Sequence, residues 1–496
     1  MTRIVLTADH TLMTEFRNNS LFSFLSSMPT RFIPELLYDQ IFAPLVPHNN
    51  GIATYAQYSL RKVEATLLQE FGRSEVVIAH PKHIDKFIGS DTEILGINTM
   101  DPLGLGPIPA SFHIFSDSIP HTQKKFERMI NKLPRGKHKI IIGGAGSWQF
   151  MSREKRERYG IDHVILGEFE KSGIEIFTKI MNGTADSIMR GRPPQVDEIP
   201  LIKGPSINSL IEIARGCGRR CHFCDSTHRR MRNISQEQIV GEAEINAASG
   251  KRSTWLLSED IFLYQCNSKN FQPNREALVE LYQALMAIDG VDNILATHGS
   301  LAPVAADPKM VEELTAIVER KYKGMQGLQP GIETGSSRLI EKNMSNKTLP
   351  FAPDEWHDVV IDAIRILNKN NWFPWCTLIL GLPGEEKEDI EETIALVDAL
   401  SGSYSTITPT FFVPMGSAKT EHRFNMRDLT EKHWELIYKC WKHSSQVENQ
   451  GCYLNAPQIN IITKLALMLT MKIGSRAVLR RIKHTQQQLM SRTPPS

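Results

Sequence analysis

No stretch of this 496-residue chain approaches the ~20 consecutive apolar residues that a helix needs to cross a bilayer. No secretory leader opens it, so a cytoplasmic protein is expected. Charge of one sign is also lacking. The formal net charge is only +2, which gives no electrostatic argument for nucleic acid or an anionic membrane, and no nucleic-acid partner is expected. Cysteine is sparse, with seven in the chain, the usage of a reducing compartment rather than of a disulfide scaffold. G-x-S-x-G, H-E-x-x-H and the P-loop are all missing, so no nucleophile elbow, zincin helix or phosphate-cradling loop is available. Internal repeats and low-complexity segments are absent too.

What is present is the composition of a large globular enzyme. At 41% hydrophobic and 23% charged, the chain can bury two or three domains. Three of the cysteines stand together, Cys217, Cys221 and Cys224, in a C-x3-C-x2-C spacing. They follow a short apolar run, Leu210 to Ala214, that reads as a buried strand and breaks at Gly216 into a loop. Three thiolates on such a loop suit a four-iron cluster with one iron left without a protein ligand. The alternative is half of a structural zinc site completed by His222 or His228, although paired C-x2-C knuckles are missing. Cys266, Cys376, Cys440 and Cys452 are scattered and form no second ligand cluster.

Downstream, apolar runs that stop at polar or glycine residues alternate with helical stretches at Ser235–Ala248, Asn274–Ile288, Pro308–Lys321 and Asp354–Asn368. This alternation predicts a parallel sheet with functional loops at the carboxyl ends of its strands. Those ends carry Ser253-Thr-Trp-Leu-Leu-Ser-Glu-Asp260, Gly331-Ile-Glu-Thr-Gly-Ser336, Thr377-Leu-Ile-Leu-Gly-Leu-Pro-Gly-Glu385 and Phe411-Phe-Val-Pro-Met-Gly-Ser417. Carboxylates such as Glu259 and Glu333 can hold an ammonium or ribose hydroxyls, and Gly331, Gly335, Gly381 and Gly384 can let backbone approach a ligand or merely close turns.

The cysteine spacing, with aromatic Phe223 before the last cysteine, and the four ordered motifs after it resemble the radical SAM enzymes over about residues 210 to 420. The resemblance implies a partial (β/α)6 barrel, a [4Fe-4S] cluster on Cys217, Cys221 and Cys224, and S-adenosylmethionine bound near Phe223, Ser258, Glu259, Asp260, Glu333, Ser336, Gly381 and Leu382. It also implies an electron donor such as ferredoxin or flavodoxin.

The first two hundred residues carry apolar runs at Arg3–Asp9, Ser74–Ala79, Glu93–Asn98, Lys139–Gly146 and His163–Glu168, with helical stretches at Tyr55–Phe71 and Gln123–Lys132. A doubly wound α/β domain is expected, with ligands beyond the carboxyl ends of its strands. Those ends hold Thr99, Met100, Asp101, Leu103 and Gly104; Gly143, Gly144, Ala145 and Gly146; and Gly167 with Glu168. A glycine-rich domain of this kind ahead of a radical SAM barrel resembles the cobalamin-binding domain of cobalamin-dependent radical SAM enzymes, and the same loops would then hold cobalamin. D-x-H-x-x-G occurs nowhere, so no histidine of that motif ligates cobalt. G-x-G-x-x-G is missing after the first strand as well, which disfavours a dinucleotide.

The chain thus reads as α/β: a Rossmann-like cobalamin-binding domain over 1–190, a proline-bearing spacer over 191–205, a radical SAM barrel over 206–420 and a mainly helical, substrate-shaping region over 421–496. Trp434, Tyr438, Trp441 and Tyr453 either line the substrate site or pack in a core. Arg219, Arg220, Arg229, Arg230 and Arg232 suggest either a basic rim around the site or solvated loop residues. The apolar stretch 461–473, followed by arginines, either packs on its own domain or touches lipid. The resemblance implies methylation of an unactivated carbon on a protein or small-molecule acceptor, glutamine in methyl-coenzyme M reductase being one named case. The alternatives are cyclisation, oxidation or carbon–carbon coupling on a lipid or tetrapyrrole, and a non-catalytic sensor.

Overall fold

The structure is a computed structural model that describes residues 2–18, 20–114, 116, 118–225, 230–415, 418–449 and 475–488. Contacts divide the chain into two compact units. One comprises Met1–Pro109, Ser118–Ile211 and Glu237–Lys251; the other comprises Ala110–Asp117, Glu212–Gln236 and Arg252–Ser496. Among the described residues no helix is long and apolar enough to cross a membrane.

The first unit is built on strands β1 (Ile4–Ala8), β4 (Val76–Ile78), β5 (Ile94–Asn98), β6 (Lys139–Gly143), β7 (His163–Leu166) and β8 (Ile188–Arg190). Between β1 and β4 lies a small hairpin of β2 (His48–Asn49) and β3 (Ile52–Ala53). The six strands of the main sheet are ordered β4-β1-β5-β6-β7-β8, and every pair is parallel. Alternate residues serve opposite faces, as the two-residue strand period requires. Ile4, Leu6, Ile94, Ile141 and Ile165 pack into one core with helices Tyr58–Leu67 and Gly173–Met181. Val5, Leu95, Ile97, Ile140, Ile142 and Val164 pack into the other, against helix His121–Ile130.

Chain order reverses at β1, which has β4 on one side and β5 on the other. That 2-1-3-4-5 order is the flavodoxin-like one, and it opens a crevice at the carboxyl ends of the strands beside the reversal. β8 falls where no strand was expected, in a run that carries its own arginine and little apolar periodicity.

Two expectations about boundaries are corrected. The stretch 191–205 is not a spacer: Ile199 and Ile202 are buried, and the Lys62 ammonium donates to the Pro200 carbonyl at 2.7 Å. The segment 237–251 belongs to the first unit rather than to the barrel. Glu242 there is buried against Lys62 at 2.5 Å and accepts from the Tyr58 hydroxyl at 2.7 Å, so burial of this charge is compensated inside that unit.

The second part of the chain supplies β9 (Leu210–Glu212), a short β10 (Ala214–Arg215) paired antiparallel with β11 (Arg232–Asn233), β12 (Ser253–Leu257), β13 (Asn293–Ala296), β14 (Gln326–Leu328), β15 (Gly331–Glu333), β16 (Trp372–Leu380) and β17 (Thr406–Phe411). β9, β12 and β13 lie side by side, as do β14 and β15 with β16 and then β17; a parallel bridge from His298 to Gln329 runs between the two groups. Helices Arg275–Ala287, Pro308–Val318, Trp356–Lys369, Lys387–Ala399 and Glu431–Asn449 fall between or after these strands. The sheet therefore follows chain order, and its carboxyl ends gather onto one edge.

Candidate active site

The cysteine loop is an excursion pinned at its base. β10 and β11 pair Ala214 with Asn233 and Arg215 with Arg232, so the chain before the cysteines lies beside the chain at Arg232–Asn233. Gly216, at φ 82°, makes the turn out of the strand and donates its N–H to Glu259 Oε2 at 3.0 Å, tying the loop to the end of β12. Cys217 and Cys221 are buried and Cys224 and Phe223 half-buried. Burial pushes the Cys217 thiol up to about 12 and the Cys221 thiol up to about 11, with Arg219 pulling the first back and Lys347 the second. Thiols held this way ionise only beside strong positive charge, which a metal cluster supplies on ligation. His228, one candidate fourth zinc ligand, lies outside the described residues.

Arg219 is not part of a basic rim. It is 4% exposed, its guanidinium donates to the carbonyl of Lys347 and to Ser300 Oγ at 3.1 Å, and it stacks over Phe271 at 5.0 Å. Its Nε is buried without a partner, so the loop retains a donor for a bound group. Arg220 and Arg230 are exposed, and Arg229 lies outside the described residues.

The other expected site residues separate into two groups. Glu259 and Glu333 are half-buried carboxylates at strand ends. Between β15 and β16 the register shifts between Gly331 and Glu333, an irregularity that re-aims Glu333, whose φ is 67°. Lys347 donates to Glu333 Oε1 at 3.2 Å and the Thr377 hydroxyl to Oε2 at 3.4 Å. The Glu333 carboxylate lies over Gly331, in the space a Cβ there would take.

The second group holds the scaffold. Asp260 accepts from Ser300 and caps the following turn through Phe262 N–H at 3.2 Å, while Ser258 Oγ accepts from Asp260 N–H at 3.3 Å. Ser336 caps helix Ser337–Met344 and donates to Asp389 at 2.6 Å. Leu382 is buried, and Gly381 donates to Glu385, which also meets His433 Nε2 at 2.6 Å. His433 gave no sequence signal, since its partner is 48 residues away. Trp434 is a core side chain and Trp441 lies 6.4 Å from the Phe112 ring; Tyr453 and residues 461–473 lie outside the described residues.

In the first unit, a cleft of about 60 Å3 opens at the crevice, lined by Leu6, Asn98, Ile141, Gly143, Gly167 and Phe177 among others. Beside Gly143 a Cβ would meet nothing within 4 Å, so a ligand can approach that backbone. Gly144, which also lines the cleft, and Gly146 leave no room for a side chain, because a Cβ on either would collide with the β5 loop at Asn98–Thr99 or Met100–Pro102. Thr99 Oγ1 donates to the Gly143 carbonyl at 2.8 Å, and Asp101 accepts from Leu105 N–H, Gly106 N–H and Gln149, fixing the loop that contains buried Leu103 and Gly104. Met100 is 56% exposed, Ala145 and Gly167 are exposed and Glu168 is half-buried. His10, just beyond β1, bonds the Ala43 carbonyl at 2.6 Å, so no free imidazole stands there.

The radical SAM superfamily model matches residues 211–397. This segment is similar to a radical SAM domain. Curated relatives include a tRNA-2-methylthio-N(6)-dimethylallyladenosine synthase of Opitutus terrae, 24% identical over 249 residues, or 49% of this chain and 49% of that protein. A ribosomal protein uS12 methylthiotransferase RimO of Saccharopolyspora erythraea is 28% identical over 200 residues, 40% of this chain and 37% of that protein. The chain spans about half the length of the first of these relatives. Among solved structures, the radical S-adenosylmethionine methyltransferase TsrM of Kitasatospora setae, with cobalamin and a [4Fe-4S] cluster bound, aligns with TM-score 0.54 at 15% identity over 84% of this chain and 74% of that one. At that identity the likeness is one of fold. It reaches well beyond the radical SAM domain, which spans residues 211–397.

Proposed function

We propose that the chain is a cobalamin-dependent radical SAM methyltransferase acting on an unactivated carbon, with a protein side chain such as glutamine as the favoured acceptor. The observation that carries this reading is the pairing of a radical SAM domain with an amino-terminal 2-1-3-4-5 sheet whose crevice leaves Gly143 open to a ligand. TsrM, which shares the fold over most of the chain, holds cobalamin and a [4Fe-4S] cluster.

When bound, the cluster and S-adenosylmethionine supply a 5′-deoxyadenosyl radical that takes hydrogen from carbon, and cobalamin supplies the methyl group. The chain's own residues bind and orient. Cys217, Cys221 and Cys224 ligate the cluster, and Glu259 and Glu333 hold the polar groups of S-adenosylmethionine. Asp260 and Ser336 keep those loops in place. In the first unit Gly143 and the loop 99–104 receive cobalamin. A ferredoxin or flavodoxin supplies the electron.

The relatives' methylthio transfer is the second reading. Sulfur insertion needs a sulfur donor, and the first 216 residues contain no cysteine to hold a second cluster there, which favours methyl over methylthio transfer.

Anaerobic incubation with reductant and S-adenosylmethionine labelled in its methyl group, with a protein or a tRNA pool as acceptor, tests this. Label fixed in protein without added sulfur supports the proposal. Methylthio-nucleoside in tRNA supports the second reading, and 5′-deoxyadenosine without transfer supports cyclisation, oxidation or coupling.

A further inference from the structure

Outside both loops just described, three histidines of the first unit converge. His48 on β2, and His80 and His83 in the turn after β4, place one ring nitrogen each within 4.8 Å of one another. His48 Nε2 and His83 Nε2 are 3.0 Å apart, and the three ring centroids are separated by 4.9, 4.3 and 5.5 Å. We propose that His48, His80 and His83 form a zinc-binding site with a fourth position open to water.

The chemistry of the donors fits zinc. Imidazole suits zinc, and three protein nitrogens with one open position are an established zinc geometry. A tetrahedron with Zn–N of about 2.05 Å sets the nitrogens roughly 3.3 Å apart, so the His48–His83 pair has to open by only about 0.3 Å. His80 is buried, so packing holds its ring in place. His48 is exposed and gives the ion its entry.

The backbone is shaped around the cluster. Gly51, at φ 94°, lets the hairpin pass His83, since a Cβ there would lie 3.0 Å from His83 Cβ. The Gly51 carbonyl accepts from His80 N–H at 2.8 Å, and His83 N–H closes the turn onto the His80 carbonyl at 2.8 Å. Ligation replaces the 3.0 Å hydrogen bond between His48 Nε2 and His83 Nε2 and asks His48 and His80 to release weak contacts at 3.3 Å, from Gly51 N–H and Lys82 N–H to their Nδ1 atoms. Both weak contacts are at the edge of hydrogen-bond range, so little is lost with them. Zinc would thereby clip the β2–β3 hairpin to the β4 turn.

The test uses the full chain carrying Cys217→Ser, Cys221→Ser and Cys224→Ser, so that thiolates cannot compete, in equilibrium dialysis against zinc. One zinc per chain is expected, with a rise in melting temperature. Adding H48A, at an exposed position that leaves folding intact, or H83A should weaken binding at least about tenfold and remove that rise. No binding by the triple variant, or equal binding after H48A and H83A, overturns the proposal. Failure here leaves the methyltransferase reading untouched.

Discussion

The Arg219 guanidinium and the Asp260 carboxylate lie 3.5 Å apart, each 4% exposed, and join the loop that carries the cysteines to the end of β12. Removing one partner of such a pair strands the other charge in the interior. Arg219→Ala is expected to destabilise the fold by about 3–5 kcal/mol in urea unfolding and to lower iron retained after reconstitution. Arg219→Lys keeps the charge without the planar fork and should restore only part of both.

Two adjacent glycines of the cleft differ in the space beside them. Gly144, at φ 88°, has no room for a Cβ, whereas Gly143 has open space. Gly144→Ala should lower the melting temperature of the chain. Gly143→Ala should leave stability within about 0.5 kcal/mol and still weaken cobalamin retention on gel filtration. Equal retention by wild type and Gly143→Ala would remove this loop from the cobalamin site.

Asp9 is buried and accepts from Thr11 N–H at 2.8 Å and Thr11 Oγ1 at 2.6 Å. Burial raises its pKa to about 6, against the Thr11 bonds and the charge of Lys125. A carboxyl with a raised folded-state pKa adds stability below its unfolded value, and that stability is lost as pH rises through about 6. Unfolding free energy is therefore expected to fall by up to about 3 kcal/mol between pH 4 and pH 7 from this group, and Asp9→Asn to flatten that part of the profile.

Serine at Cys217, Cys221 or Cys224 should reduce 5′-deoxyadenosine formation at least about a hundredfold, to background. Cys440 is buried in helix Glu431–Asn449, away from any motif, and Cys440→Ala should retain cluster and product. Product from any of the three serine variants would displace that cysteine from the ligand set.

Much of the architecture was legible because parallel strands buried on both faces leave apolar runs, and the ends of those runs mark the functional edge. Strands expected over Glu93–Asn98 and Lys139–Gly146 occur at Ile94–Asn98 and Lys139–Gly143. The strand at Ile188–Arg190 was missed because an edge strand needs no continuous apolar run. The prolines of 191–205 pointed to a spacer, but Ile199 and Ile202 override them by packing.

By itself the sequence determined where groups capable of chemistry stand: the C-x3-C-x2-C thiols, the strand-end carboxylates and the glycine loops, since these depend on residue type and local spacing. Tertiary structure alone decided how they are used. It placed Arg219 in the interior with Asp260, turned Ser336 into a helix cap, left Gly143 open while closing Gly144, and brought His48 to His80 and His83. Each of these depends on contacts between residues remote in sequence or on the space beside one atom, and neither quantity has a local signature in the chain.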